Sequence, residues 1–427
     1  MKFPLRSTNA LSRPVFNFSH IYTNLGALSE ITRLRNVKVD LDLFAHNYEK
    51  WSELRQSFTE LRKLQTAESK QKNEASLAKL RLLKPQLKEL KDKISELEDS
   101  MLLAAESLPN AISPNVGSEA QLVKTINPDF KLDHSENRDH KAIMERLGLV
   151  DFANASRVTG NSWYYLMGDA ARLEQALIQY ALDKARTYGF KLVSPPSIVK
   201  DEISFACGFK PRDQNGETQV YQLPDELSLT GTAEIPIAGL KSNQILTDLP
   251  HRICGVSRSF RAEAGARGRD TRGLYRVHEF NKVELFIWCE NDLEKSEAEF
   301  EKLVQFQMEF VESLGLHAMV LNMPYDDLGA PAYCKYDIEC WMPGRNAFGE
   351  VTSSSICLDY QATRLSTTYR DSNNKVRFVH TLNGTACAVP RVILAIVENF
   401  WDEATDSILV PKVLRPYMGG QERIVKQ

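Results

Sequence analysis

The chain has 427 residues, 43% of them apolar, and a formal net charge of −3. A chain of that length fills more than one core, and its balanced charge excludes a protein that coats nucleic acid over its whole surface; any polyanion site must be local. The seven cysteines form no C-x-x-C pair and lie near no plausible histidine pair, so they read as reduced thiols rather than a zinc site or disulfide frame, and no apolar run approaches the ~20 residues that span a bilayer.

Residues 1–30 carry Lys2, Arg6 and Arg13 and no acid before Glu30. This serine- and arginine-bearing, acid-poor leader has the composition of a mitochondrial transit peptide, although an ordinary unstructured N-terminus shares it. Residues 31–120 form the next unit, with a helical arm over 47–103. Leu80, Leu83, Leu87, Leu90, Ile94, Leu97 and Met101 alternate spacings of three and four, a coiled-coil seam. Trp51, Leu54, Phe58 and Leu61 keep the same rhythm, and TAESKQKNEAS between them suits a reversal, giving an antiparallel hairpin. Pro85 should bend the second helix or mark its first turn.

From Arg62 to Lys93 the arm holds ten Lys/Arg against four Asp/Glu, a net +6 on a chain of net −3. By charge alone this is equally a solvated helical face or a surface that grips phosphates through counterion release. Arg62, Lys63, Lys70, Lys72, Lys79 and Arg81 are its candidate contacts. The segment SLPNAISPNVGSEAQ (107–121) reads as a linker. Residues 121–427 then mix β-rich runs such as FKLVSPPSIV and KVELFIW with amphipathic helices such as 171–189 and 293–315. Neither of the usual glycine-rich phosphate loops is present.

The stretch FRAEAGARGRDTRGLYRVHEF (260–280) stands out, with five arginines and three acids. So many cations are costly to bury unless an anion sits among them. On a strand, Arg261 and Glu263 would share a face, as would Arg276, His278 and Phe280, and Lys282 with Glu284. Arg261 can fork two phosphate or carboxylate oxygens, Glu263 can accept from an amino group, and Phe280 can stack on a flat ring. The bland alternative is a surface hairpin of weak salt bridges.

This stretch resembles motif 2 of class II aminoacyl-tRNA synthetases, of the seryl-tRNA synthetase type. LTGTAEIP (229–236) resembles that family's serine-specificity loop, EVTSSSICLDYQATR (350–364) its segment before motif 3, and HTLNGTACAVPRVILAIVEN (380–399) motif 3 itself. VPKVLRPYM (410–418) resembles its C-terminal signature, and SPPSIV the proline of motif 1. The resemblance runs from about residue 40 to 420. It implies an α+β fold: an antiparallel sheet flanked by helices, dimerised near motif 1, with an N-terminal antiparallel coiled-coil arm that holds tRNA. It implies a serine–tRNA ligase using ATP and Mg²⁺ on mitochondrial tRNA(Ser) in the matrix, as a homodimer or, with a synthetase paralogue, a heterodimer, and without a membrane. Serine binding falls to Thr232, Ala233, Glu234, Arg261, Glu284, Asn383 and Thr385. ATP binding falls to Arg261, Glu263, Val277, Phe280, Glu350, Val351, Thr352, Ser353 and Arg391, with Glu350 and Ser353 also on magnesium.

Several residues depart from the bacterial pattern. Thr385, Ala386, Cys387 and Pro390, with AYCKYDIECWMPGR (332–345), resemble an animal mitochondrial branch. Ile356 replaces an asparagine expected close to Glu350 and Ser353, Thr363 replaces the first of two arginines, and Glu279 adds a negative charge expected near a polyphosphate. These changes leave a second reading: a catalytically weak paralogue acting through tRNA binding or by pairing with an active synthetase. Retention of Thr232, Glu234, Arg261, Glu263, Glu284, Glu350 and Arg391 favours the enzyme.

Overall fold

The computed structural model describes residues 14–71, 73–130, 135–210, 218–263 and 273–426. The chain divides into two compact units, Val15–Pro109 and one that begins at Asn110. In the first unit, helices α1 (Phe18–Thr23) and α2 (Leu25–Leu34) precede the long helices α3 (Leu41–Gln71) and α4 (Glu74–Ser107). The seam is as the spacing requires: Leu87, Ile94 and Met101 are buried on α4, while Trp51, Leu54 and Phe58 are half-buried on α3. Asn47 donates to Ser100 at 2.9 Å and the Trp51 indole to Glu98 at 2.9 Å, fixing the antiparallel register.

Two expectations shift here. The reversal is tighter than TAESKQKNEAS: α3 runs through Gln71, and Asn73 caps α4 by accepting from the Ser76 N–H at 2.8 Å. Pro85 lies inside a continuous, exposed stretch of α4, eleven residues past its start, and so does not mark a first turn. The edges of the first compact unit, at 14/15 and 109/110, differ from the expected limits at 31 and 120. Residues 15–30 have an apolar job in the arm's base. Phe18 packs edge-on against Phe44 and Trp51 with centroids 6.1 and 6.2 Å away, and Tyr22 stacks on Tyr48 at 4.4 Å. Arg62, Lys63, Lys70, Lys79 and Arg81 are all exposed; Lys72 lies outside the described residues. Lys79 pairs with Glu68 at 2.7 Å, a surface contact worth little.

The second unit is built on an eight-stranded sheet. Its strands are β1 (Gln121–Ile126), β2 (Lys191–Val193), β3 (His251–Phe260), β4 (Glu279–Cys289), β5 (Ala318–Asn322), β6 (Cys334–Met342), β7 (Ala347–Leu358) and β8 (His380–Ala388). Their order is β1-β5-β6-β7-β8-β4-β3-β2, antiparallel except for the β2–β3 pair at one edge. Helices α5 (His140–Arg146), α6 (Gly168–Thr187), α7 (Glu234–Gly239), α8 (Leu293–Ser313), α9 (Tyr360–Leu365) and α10 (Val389–Phe400) flank it.

Strand β4 shows why the sheet needs cover on both faces, since every residue from Lys282 to Cys289 is buried. Val283, Leu285 and Ile287 join the large core under α6, α8 and α10. Phe286 and Trp288, on the other face, join a smaller core with Ile235 and Ile237 of α7 and Leu365 of α9. Lys282 and Glu284 occupy that same second face by alternation, where the apolar cover stops. None of the seven cysteines is in a disulfide, and among the described residues no helix is long and apolar enough to cross a membrane.

Candidate active site

The hairpin of β3 and β4 pairs Phe260 with Glu279 through to His251 with Trp288. Beyond Phe260 the alternation fails: Glu263 has φ +46°, and β4 begins only at Glu279. The expected shared faces for Arg261 with Glu263, and for Arg276, His278 and Phe280, are therefore not strand faces. Arg276 instead reaches Glu263 at 2.8 Å. His278 Nδ1 lies 2.9 Å from the Tyr221 hydroxyl, with the Trp163 ring stacked on it at 5.8 Å. Residues 264–272, the tip of this connection, lie outside the described residues.

One pocket nonetheless gathers Arg261, Glu263, Val277, Phe280, Glu350, Val351, Ser353 and Arg391, together with Thr385 and Lys282. Arg261 lies over the Phe280 ring at 5.4 Å and donates to Gly231 O at 3.4 Å. Arg391, at the start of α10, donates to the Glu350 carboxylate at 3.0 Å and to Tyr275 O at 3.1 Å. The Tyr275 ring carries Arg391 at 4.6 Å and Arg345 at 3.7 Å, so both cations have stacking partners. Burial alone would push the Glu350 carboxyl up. The cations of Arg391, Lys335 and Arg261 outweigh it and hold the group below the usual range. In β7, Val351 is the extra residue of an irregularity opposite Ile338 and Glu339, which brings Glu350 into the pocket beside Ser353.

Beside this pocket lies a buried polar network. Lys282 Nζ sits 2.8 Å from Glu284 Oε2, and the Thr232 hydroxyl donates to the same oxygen at 3.2 Å. Glu234 N–H donates to Thr232 Oγ1 at 3.3 Å. The Glu234 carboxylate accepts from Asn383 at 2.7 Å and from Gln361 at 2.6 Å. Thr381 fixes the Gln361 amide from behind at 2.7 Å. Burial, then the charge of Glu284, pushes the Glu234 carboxyl up to about 7. Ala233 is fully buried in the adjoining apolar core.

Every sequence-derived serine and ATP residue thus lies in or beside one locus, except the Thr352 side chain. That hydroxyl is on the reverse of β7 and donates to Thr385 O. The sequence reading passed over Gln361 and Tyr275 as site residues, although both stand inside quoted stretches; what recruits them is their contact with Glu234 and with Arg391, which only the fold brings about. It also placed Lys282 on the face of Glu284 without making it a contact.

Two feared substitutions point elsewhere. Glu279 alternates away from Phe280 and pairs with Arg258 at 2.5 Å, in a neighbouring cavity of about 310 Å³ that shares only Phe280 with the Arg261 pocket. Its charge does not enter the Arg261 pocket. Ile356 is buried in the large core, on the α8 side of β7 with Ser354, rather than beside Glu350 and Ser353. Arg364 is buried against its own helix, donating to Tyr360 O at 2.9 Å, while Thr363 is half-buried.

The strand order, the β3–β4 hairpin and the arginine-lined pocket define a class II synthetase catalytic fold. Residues 219–400 match the tRNA synthetase class II core domain (G, H, P, S and T). The chain is 54% identical over 331 residues to the mitochondrial serine–tRNA ligase of Saccharomyces cerevisiae, covering 76% of this chain and 74% of that one. It is 46% identical over 327 residues to the mitochondrial counterpart of Schizosaccharomyces pombe, covering 73% and 67%. Both are fungal, where TACAVPR had pointed to an animal branch. Among solved structures it resembles the seryl-tRNA synthetase of Pyrococcus horikoshii complexed with ATP, at TM-score 0.86 and 31% identity over 97% of this chain and 100% of that one. The chain belongs to the seryl-tRNA synthetases.

Proposed function

We infer that the chain is a serine–tRNA ligase, and one observation carries the reading. The buried network holds two carboxylates, Glu234 and Glu284, against one ammonium, Lys282. Such a set is one positive charge short, and the missing charge is what the α-ammonium of an amino acid supplies. Thr232 and Asn383 add polar partners that a hydroxymethyl side chain satisfies and a methyl leaves unpaired, which favours serine over alanine.

The reaction asks the protein for position and charge. A serine carboxylate oxygen attacks the α-phosphorus of ATP, and pyrophosphate leaves. The 3′-terminal ribose hydroxyl of tRNA(Ser) then attacks the seryl carbonyl, and AMP leaves. No protein nucleophile is needed. Arg261 meets the α-phosphate and Arg391 the γ-phosphate, each pre-positioned by a ring; Phe280 supports the adenine, with Glu263 and the Val277 backbone at its edge. Glu350 and Ser353, with Val351 between them, face the phosphates.

The residues present fit Mg²⁺. Asp337, beside Glu350, has an oxygen without a hydrogen bond, and burial followed by the Glu350 charge pushes its carboxyl up to about 7. Glu339 is pushed up as well, by burial first and then by Glu350. Lys335 Nζ, 3.1 Å from the other Asp337 oxygen, offsets part of this charge. Among the described residues no three acidic, histidine or cysteine side chains form a metal cluster, which suits a cation that takes one or two protein oxygens and shares the nucleotide's phosphates. Glu350 and Ser353 would hold it, and its chemistry is neutralisation of phosphate charge.

The exposed basic face of the arm, Arg62 to Arg81, grips tRNA. The enzyme works in the mitochondrial matrix as a homodimer. The names of the two yeast relatives support the compartment. Purified protein tested for serine-dependent exchange between ATP and pyrophosphate decides the reading; no exchange at saturating serine, ATP and Mg²⁺ refutes it.

A further inference from the structure

The central sheet parts company with itself at the site. Strands β7 and β8 pair at Leu358–Thr381, Ile356–Leu382, Ser355–Asn383 and Ser354–Gly384, and there their ladder ends. Beyond that point β7 continues paired only with β6, Ser353 opposite Asp337, while β8 continues with β4, Thr385 opposite Glu284. The pocket opens in this gap, with Ser353 and Thr385 on its two walls. Parting two central strands strands their carbonyls, and an unpaired buried carbonyl costs about 1–3 kcal/mol.

Gln307, fully buried on α8, meets that need at Ser353 O and joins the Thr352 hydroxyl as a second donor at Thr385 O. Its one amide NH₂ donates to Ser353 O at 2.9 Å and to Thr385 O at 2.8 Å. Its oxygen accepts from the Ser354 hydroxyl at 2.8 Å, which fixes the direction of the amide. Gly384 permits the approach: a Cβ there would lie 2.2 Å from Leu303 and 3.2 Å from the Gln307 amide nitrogen.

We propose that Gln307 is a positioning residue that sets the spacing of Ser353 and Thr385, and with it the register of ATP against serine. The amide is a bracket of fixed width. It touches neither substrate, yet it holds the two walls on which the reacting groups sit. A misplacement of the walls by a fraction of an ångström lowers the rate of attack without removing a substrate contact.

The inference rests on the serine–tRNA ligase reading, and wild-type exchange is measured alongside as its separate check. The test compares Gln307→Met, which keeps length and loses both donors, with Ser354→Ala, which frees the amide to rotate. Serine-dependent pyrophosphate exchange is measured per active site, titrated by the burst of adenylate, so that only folded protein counts. For Q307M we expect kcat about tenfold lower and the serine KM about tenfold higher; for S354A we expect shifts of about threefold in the same directions. Wild-type values per active site in Q307M, even with a lower Tm, would reduce Gln307 to a stabilising role and overturn the proposal. If Q307M does not fold, S354A decides alone by the same criterion. An inactive wild type would instead refute the ligase reading itself.

Discussion

At the residue scale the site is a balance of buried charge, and its least settled member is Glu234. Burial and Glu284 raise its carboxyl to about 7, so between the ordinary carboxylate range and pH 7 the folded protein holds a proton that the unfolded chain has lost. That contribution favours the folded state at low pH and is lost as pH rises through this window. A serine ammonium favours the ionised form. The serine KM should therefore fall as pH rises through about 7, by up to ~tenfold per unit below it, and Glu234→Gln should flatten the profile. A wild-type KM unchanged between pH 6 and 8 would contradict this. Arg261, stacked on Phe280, presents its forked donors to the pocket while Arg276 and Arg391 are paired with Glu263 and Glu350, and Arg261→Ala is expected to abolish pyrophosphate exchange while leaving the melting temperature within a few degrees of wild type.

At the element scale, α10 does two jobs, presenting Arg391 at its start and burying Glu398 near its end. The Glu398 carboxylate accepts from Gly344 N–H at 2.8 Å and lies 2.8 Å from His140 Nδ1, and His140 Nε2 in turn accepts from Leu274 N–H at 3.1 Å. One side chain thereby fastens, directly and through His140, the residues that immediately precede Arg345 and Tyr275. Glu398→Ala removes the shared acceptor of this network from the core, and a loss of about 3 kcal/mol is expected from the denaturant midpoint; a loss under 1 kcal/mol would show the network to be dispensable. The elements also show what a sequence reveals. The arm's seam was legible because a 3–4 rhythm admits one packing, and the motif strands because charged residues recur there at readable spacings. The faces were not. The irregularity at Val351 decides whether Glu350 or Thr352 looks into the pocket, and the end of β3 at Phe260 removes the strand face that Arg261 and Glu263 were expected to share. Both depend on which neighbouring strand supplies the hydrogen bonds, which no local pattern encodes. Glu279 and Ile356 were suspect only while their faces were unknown.

At the scale of the whole molecule, the proposed function divides between a basic arm and an acidic-and-arginine site that share no residues. Replacing residues 62–93 by a short glycine–serine linker keeps the Trp51–Glu98 contact at the arm's base. It should leave serine-dependent exchange near wild type while lowering tRNA affinity and the slope of its dependence on salt, in proportion to the number of phosphates the arm neutralises. Unchanged affinity and slope would remove tRNA from the arm. The central claim is that one charge-deficient buried network beside an arginine-lined pocket activates serine. Pyrophosphate exchange by the purified chain tests it most directly: label should enter ATP only when serine is present and not with alanine. Exchange that is absent, or equal with alanine and serine, would contradict it.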